Sequence, residues 1–381
     1  MLDLDRLLRF AVEQSASDVH VKVGARPRLR VDGRLREGPF DTVEPSDTER
    51  LVTAILPPQL AEEFRARSEA DFTYSITGLG RFRVSAFRQR GWIGLVLRRV
   101  LPGVPGFEAL TLPPVVQALS EQTNGLVLVS GLGGSGRTAT MAAMVDAVNA
   151  ARECHIVTIE DPIEVIHADK RAVVDQREVG TDTPSAHVAL EHALRQDPDV
   201  IMVSQLRDVE SVAASMHAAE AGHLVIAGFS TVNATDTIDR LVEMFEPHRQ
   251  RQMRSSLALV LRGILVQRLV PRAGGRGRVP AVEVLVVNAR VRERIADPSR
   301  VEELTAEMEH GDLYGMQTFD QSLSQLYRDG LVTRTDALEH ADSPGELRFT
   351  LDRADFERGQ ASGATTAATT AASANGVAQP A

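Results

Sequence analysis

The sequence predicts an α/β protein, with one domain built on a mostly parallel sheet and a smaller α+β domain ahead of it. Three observations carry this. The apolar run Leu126-Val-Leu-Val129 leads through a glycine-rich turn into Met141, Met144, Val145 and Val148, apolar positions at helical spacing. From about 116 to 290 such runs alternate with helical patterns, the mark of βαβ units with helices on both faces of a parallel sheet. Residues 1–100 instead carry short alternating strands, the mark of an antiparallel sheet.

In the first domain, Leu4, Leu7, Leu8, Ala11 and Val12 define an amphipathic helix. Val19, Val21 and Val23 alternate with polar residues, and Leu29 and Val31 lead into an Asp32-Gly33 turn signal. Ser46-Asp-Thr-Glu49 reads as a capping box before a second helix, which Pro57-Pro58 ends. Strands are expected over 71–76, 81–88 and 92–99. Arg81 and Arg83 share one strand face, while Phe82, Val84 and Ala86 share the other, so the arginines point away from the core. They read either as a solvated face or as a basic edge reaching phosphates bound by another domain or subunit.

Pro102, Pro105, Pro113 and Pro114 mark 101–115 as a linker, and 116–290 as the parallel-sheet domain. Residues 291–358 read as helices broken at Pro298, Gly311 and Gly330. From 359 to 381 the composition collapses to Ala, Thr, Ser and Gly, which reads as a disordered tail. The net charge of −10 argues against nucleic acid as the main partner. Cys154 is the single cysteine, so no intrachain disulfide can form and a reducing, cytoplasmic location is expected. No signal peptide is visible. The longest apolar stretch, 257–270, is interrupted by Arg262 and Arg268, so no transmembrane helix is expected.

The glycine-rich turn carries the chemistry. Gly131-Leu-Gly133-Gly134-Ser135-Gly136-Arg137-Thr138 fits the phosphate-loop pattern, with Arg137 where that pattern has lysine. Glycines let successive backbone N–H groups curl around phosphate oxygens, and the following helix offers its positive end. Thr138 is the expected Mg²⁺ ligand, and Thr140, in the first helical turn, is expected to bind the nucleotide together with the loop residues. Two more apolar strands end in polar residues, where ligands bind in open α/β sheets. One runs into Glu160-Asp161-Pro-Ile-Glu164 and the other into Ser204-Gln205-Leu-Arg207-Asp208.

Together the stretches TIEDPIEVIH (158–167), DQREVGTDT (175–183), DPDVIMVSQLRD (197–208), AAEAGHLVIAGFST (218–231) and GMQTFDQ (315–321) resemble the hexameric type II/IV secretion and pilus ATPases. The PilT-like branch, associated with pilus retraction and twitching motility, is the most similar. The resemblance spans about 3–348. It implies a RecA-like phosphate-loop core behind a PAS-like N-terminal domain, with ATP and Mg²⁺ as cofactors. It further implies a homo-hexamer, or a ring mixed with an active paralogue, docked on an inner-membrane platform protein. Localisation would then be cytoplasmic, peripheral to the inner membrane. Asp161 joins Thr138 as a metal candidate, His223 as a nucleotide contact, and Arg81 and Arg83 as arginine fingers.

Several positions depart from the family pattern. Arg137 replaces its lysine, Ser204-Gln205 its Gly-Glu, Phe229-Ser230-Thr231 its Leu-His-Thr, and Arg290-Val291-Arg292 its Ala-Ile-Arg. Arginine cannot sit as a compact charge in a tight loop. Gln205 cannot act as a base, a role typically worth ~10²–10⁴ in rate. The reading that follows is a motor subunit with weak or lost hydrolysis. One alternative is a slow but active ATPase using Glu160 or Glu164, and another is a nucleotide-free structural ring or adaptor.

Overall fold

A computed structural model describes residues 2–31, 34–100, 103–275 and 277–356. The Asp32-Gly33 turn, Pro102 and the 359–381 tail lie outside the described residues. The chain divides into two compact units, with the main boundary between Gly103 and Val104.

In the N-terminal unit, strands β1 (Asp18–Lys22), β2 (Arg28–Val31), β3 (Arg34–Glu37), β4 (Glu69–Ile76), β5 (Gly80–Gln89) and β6 (Trp92–Val100) form one antiparallel sheet. Their order is β3-β2-β1-β6-β5-β4. The period of two sets the core face: Val19, Val21, Leu29, Leu95, Leu97, Phe82, Val84 and Ala86 are buried. Leu4, Leu7, Leu8 and Ala11 of the helix Leu4–Glu13 join them, as do Leu51, Val52 and Ile55 of the helix Pro45–Ile55. The second helix begins earlier than its expected capping box. Pro45 takes the first helical position, where a missing N–H costs nothing, and Asp47 rather than Glu49 accepts from the amide of the cap residue, Glu44, at 3.1 Å.

The opposite sheet face is basic. Arg98 lies directly across from both Asp18 and Arg83, and Arg30 across from Asp18. Burial raises the Asp18 carboxyl, but the Arg98 guanidinium at 2.7 Å, aided by the Ser17 hydroxyl, holds it below its usual range. Arg83 is exposed and Arg81 half-buried on this face, away from the core as the alternation requires.

In the C-terminal unit, β7 (Gly125–Ser130), β8 (His155–Glu160), β9 (Val173–Glu178), β10 (Val200–Val203), β11 (Leu224–Gly228), β12 (Leu261–Pro271) and β13 (Arg278–Val286) form a second sheet. Its order is β13-β12-β7-β11-β10-β8-β9, and every pairing is parallel except β12–β13. Alternate residues of one strand feed opposite cores. Leu126 and Leu128 join Val157, Ile159, Ile201 and Val225 on one face, while Val127 and Val129 join Ile156, Met202 and Ile226 on the other. Both faces are therefore covered, as the continuous apolar runs predict.

The proline-rich stretch is a packed part of this unit rather than a free spacer. Leu112 is buried, and Phe107 and Leu110 pack against the same core, because apolar residues stand between the prolines. The helices after 288 share the main core through Val291, Ile295, Leu304, Phe319, Leu323 and Leu351. The apolar stretch 257–270 breaks into the end of the helix Pro247–Val260 and the buried strand β12. Among the described residues, no helix is long and apolar enough to cross a membrane.

Candidate functional site

Parallel pairing brings the C-terminal ends of β7, β11, β10 and β8 to one sheet edge in that spatial order. The phosphate loop leaves β7 there and runs into the 15-residue helix Arg137–Ala151. Gly131, Gly134 and Gly136 hold φ of +140°, +79° and +93°, the left-handed region that glycine adopts freely. A Cβ on Gly131 would also stand 2.5 Å from Ser135 Oγ and 2.6 Å from the Gln267 carbonyl, so no other residue fits. The first-turn amides of the helix have no acceptor within the helix, and its N-terminus favours an anion. Ser135 is buried, and its hydroxyl finds no partner among the described residues. A glycine-built loop with a buried, unpartnered hydroxyl at the start of a helix fits a phosphate chain.

Gly133 and Gly134 are exposed at the rim, and Thr138 is half-buried. Thr140 is buried, where its hydroxyl accepts from Gln267 Nε2 at 2.9 Å. Thr140 is thus a wall of the loop rather than a contact to its contents. A cavity of about 290 Å³ adjoins the loop, lined by Leu132, Thr231, Gln267, Arg268, Arg278 and His340 among others.

Arg137 does not point its charge into the loop. Its Nη1 donates to the main-chain oxygen of Phe229, just beyond β11, and burial lowers the guanidinium's pKa. A lysine carries one ammonium on a flexible stem; the planar fork of arginine reaches across to the neighbouring strand end. Next to it, Ser130 and Thr231 share a hydroxyl–hydroxyl hydrogen bond, and Thr231 Oγ1 meets Thr237 Oγ1 at 2.6 Å. This buried chain of hydroxyls fixes the root of the loop to the helix Ala234–Glu243.

Gln205 follows β10, one strand beyond β11, and is half-buried. The other carboxylates lie farther along the edge. β8 is three strands from β7, about 14 Å at ~4.8 Å per strand. Glu160 is buried there, accepting from Thr158 Oγ1 at 2.7 Å and Gln176 Nε2 at 2.9 Å. Asp161 is exposed, pairs with Arg207 at 2.6 Å, and accepts from no loop residue; its amide donates to Ser204 Oγ at 3.1 Å. Asp161 thus stands three strand spacings along the edge from β7, its carboxylate committed to Arg207 rather than to the Thr138 end of the loop. Glu164 is exposed beyond the strand end.

His223 stands at the opposite edge. Its carbonyl accepts from Gly125 N at the start of β7, and its Nδ1 meets the Pro198 carbonyl at 2.7 Å. The whole length of β11 separates it from the loop, so it makes no contact there. Asp208 caps the helix Val209–Glu220 through Ser211 N at 2.7 Å. Sequence reasoning missed Gln267. Its signal was a lone uncharged polar residue inside the apolar run of β12.

The chain matches the family described as Type II/IV secretion system protein over residues 2–336. The type IV pilus ATPase PilU of Pseudomonas aeruginosa is 39% identical over 350 residues, covering 92% of this chain and 91% of that protein. The type IV pilus retraction ATPase PilT of the same organism is 38% identical, covering 90% of this chain and 99% of its own length. The crystal structure of the pilus retraction motor PilT with bound ADP superposes with a TM-score of 0.83 at 40% identity, over 91% of this chain and 99% of that one. The chain therefore belongs to the type II/IV secretion system protein family and is a homologue of the pilus motor ATPases.

Proposed function

We propose that this protein is an ATP-binding ring subunit of a type IV pilus or secretion motor whose hydrolysis is weak or lost. The single observation that carries the reading is the phosphate loop itself: its glycine geometry and unpartnered Ser135 hydroxyl are intact, while Arg137 is drawn to the Phe229 carbonyl. Binding and hydrolysis thus separate. Backbone N–H groups and the helix end supply most of the grip on phosphates, and they are retained. Mg²⁺, when bound, would neutralise phosphate charge, with the Thr138 hydroxyl as its protein ligand. The likeness to a retraction motor solved with ADP supports the nucleotide assignment. A docked position on an inner-membrane platform protein, in the cytoplasm, follows from the same kinship and belongs to this proposal.

Titration with a fluorescent ATP analogue tests it. Binding should be saturable and Mg²⁺-dependent. Arg137→Lys should tighten it by about tenfold, ~1.4 kcal/mol, by freeing the loop cation from Phe229. Ser135→Ala should weaken binding while leaving thermal stability unchanged, because that hydroxyl makes no hydrogen bond among the described residues. No binding at millimolar nucleotide would leave a nucleotide-free structural ring as the better reading.

The ring contact in this reading is the basic sheet face of the N-terminal unit, where Arg81 and Arg83 would meet nucleotide held by a neighbouring subunit. A heterologous contact of that kind closes into a ring. Light scattering at micromolar concentration should show nucleotide-promoted assembly, and Arg81→Glu with Arg83→Glu should weaken it without unfolding the chain. Assembly unaffected by the double reversal would return these arginines to a solvated face.

A further inference from the structure

A cleft of about 800 Å³ lies in the C-terminal unit and shares no lining residue with the cavity beside the phosphate loop. Its carboxylates come from separate elements: Glu283 on β13, Glu309 on the helix Leu304–Glu309, Asp320 on the helix Phe319–Arg328, Asp342 in the bend after the helix Arg334–Glu339, and Glu346 at the rim. Two of these are already committed. Asp320 accepts from the amides of Asp342 and Ser343 at 2.9 Å each, and Asp342 pairs with Arg268 at 2.6 Å.

Glu283 is different. It is only 4% exposed, and one oxygen accepts from the Ala234 amide at 2.6 Å. The other accepts no hydrogen bond among the described residues, and Glu283 lines the cleft floor. Burial pushes its carboxyl up to about 7 against the pull of the Ala234 N–H, with Asp342 and Asp320 adding to the rise and Arg268 opposing it. A buried carboxylate with half its acceptor capacity unused favours a cationic guest.

We propose that this cleft receives a basic peptide segment of a partner protein, with one lysine or arginine reaching Glu283 and further cationic side chains meeting Glu309 and Glu346. A metal ion suits it poorly, because no three His, Cys, Asp or Glu side chains converge as a metal site among the described residues. Spread over several elements, the carboxylates instead match charges spaced along a chain. Thr305, Gln325 and Thr350 line the cleft and offer partners for a peptide backbone. The volume falls in the usual range for a bound ligand, ~300–1,000 Å³.

Fluorescence anisotropy of a labelled hexalysine peptide against the full chain tests the assignment. One saturable site is expected, with hexaglutamate failing to bind. Glu283→Gln, which keeps an acceptor for Ala234, and Glu346→Lys, at an exposed position, should each weaken binding by about tenfold or more. Glu62→Lys makes the same charge change on the N-terminal unit and should alter affinity less than about twofold. Equal weakening by Glu62→Lys would show attraction to overall charge and overturn the site. So would indifference to both cleft variants, or displacement of the peptide by equimolar spermidine or Mg²⁺.

Discussion

Gly228→Ala is expected to destabilise the C-terminal unit by at least ~3 kcal/mol, the upper part of the usual range for overpacking a core. The added Cβ would lie 2.0 Å from the Ser204 carbonyl oxygen and 2.9 Å from its carbon. Both are backbone atoms, so no rotamer change relieves the collision. The end of β10 would have to part from the end of β11, where Leu206 N donates to the Gly228 carbonyl at 2.8 Å. That separation also disturbs the Phe229 carbonyl that holds Arg137 and the Ser204 hydroxyl that receives the Asp161 amide. Thermal unfolding followed by circular dichroism should show a drop of roughly 6–12 °C, at ~2–4 °C per kcal/mol for a unit this size. Gly106→Ala is the control. It meets nothing within 4 Å and should leave the midpoint within about 2 °C. A Gly228→Ala midpoint equal to that of Gly106→Ala would mean that β10 and β11 do not approach so closely.

Much of this arrangement was legible before any coordinates. The short apolar runs at 126–129, 156–159 and 200–203, bounded by turn residues, read as strands buried on both faces, and alternate residues of each feed the two cores. The loop was legible because its glycine spacing is dictated by backbone conformation. What the sequence hid was partnership. Glu160 looks like a free carboxylate at a strand end, yet Thr158 and Gln176 claim it, and both come from the very motifs that carry the family resemblance. The GMQTFDQ stretch likewise works as stitching: Thr318 caps a helix, Gln317 pairs with Val284, and Asp320 holds the bend at Asp342-Ser343. The β12–β13 hairpin escaped detection because both strands are buried and show no period-two alternation. His223 fell on the wrong edge because a motif gives order along the chain, not which end of a strand faces the ligand.

Placing the family's residues back at two of the departing positions should produce the largest change in activity. The protein with Arg137→Lys and Gln205→Glu together is expected to hydrolyse ATP at least ~100-fold faster than the parent, the lower bound for a positioned base. The parent itself should turn over well below ~1 s⁻¹, a common lower value for enzymes. Gln205 follows β10, one strand beyond the strand whose end holds Arg137, so the new carboxylate would stand on the same sheet edge as the phosphate loop. Each single change should recover only part of the gain, because groups that serve one chemical step act as a unit. Steady-state phosphate release measures all four proteins. The rival reading, a slow motor that uses Glu160, makes an opposite forecast for Glu160→Gln. Here that variant should leave residual turnover unchanged, since Glu160 is 3% exposed, spends an oxygen on Thr158 and Gln176, and sits three strands from the loop. If Glu160→Gln abolishes turnover in a protein that still binds nucleotide and keeps its melting point, Glu160 is the base and hydrolysis was displaced along the edge rather than lost. If the double restoration fails to raise the rate although nucleotide binds, the defect lies in Ser230 or in the ring rather than at these two positions.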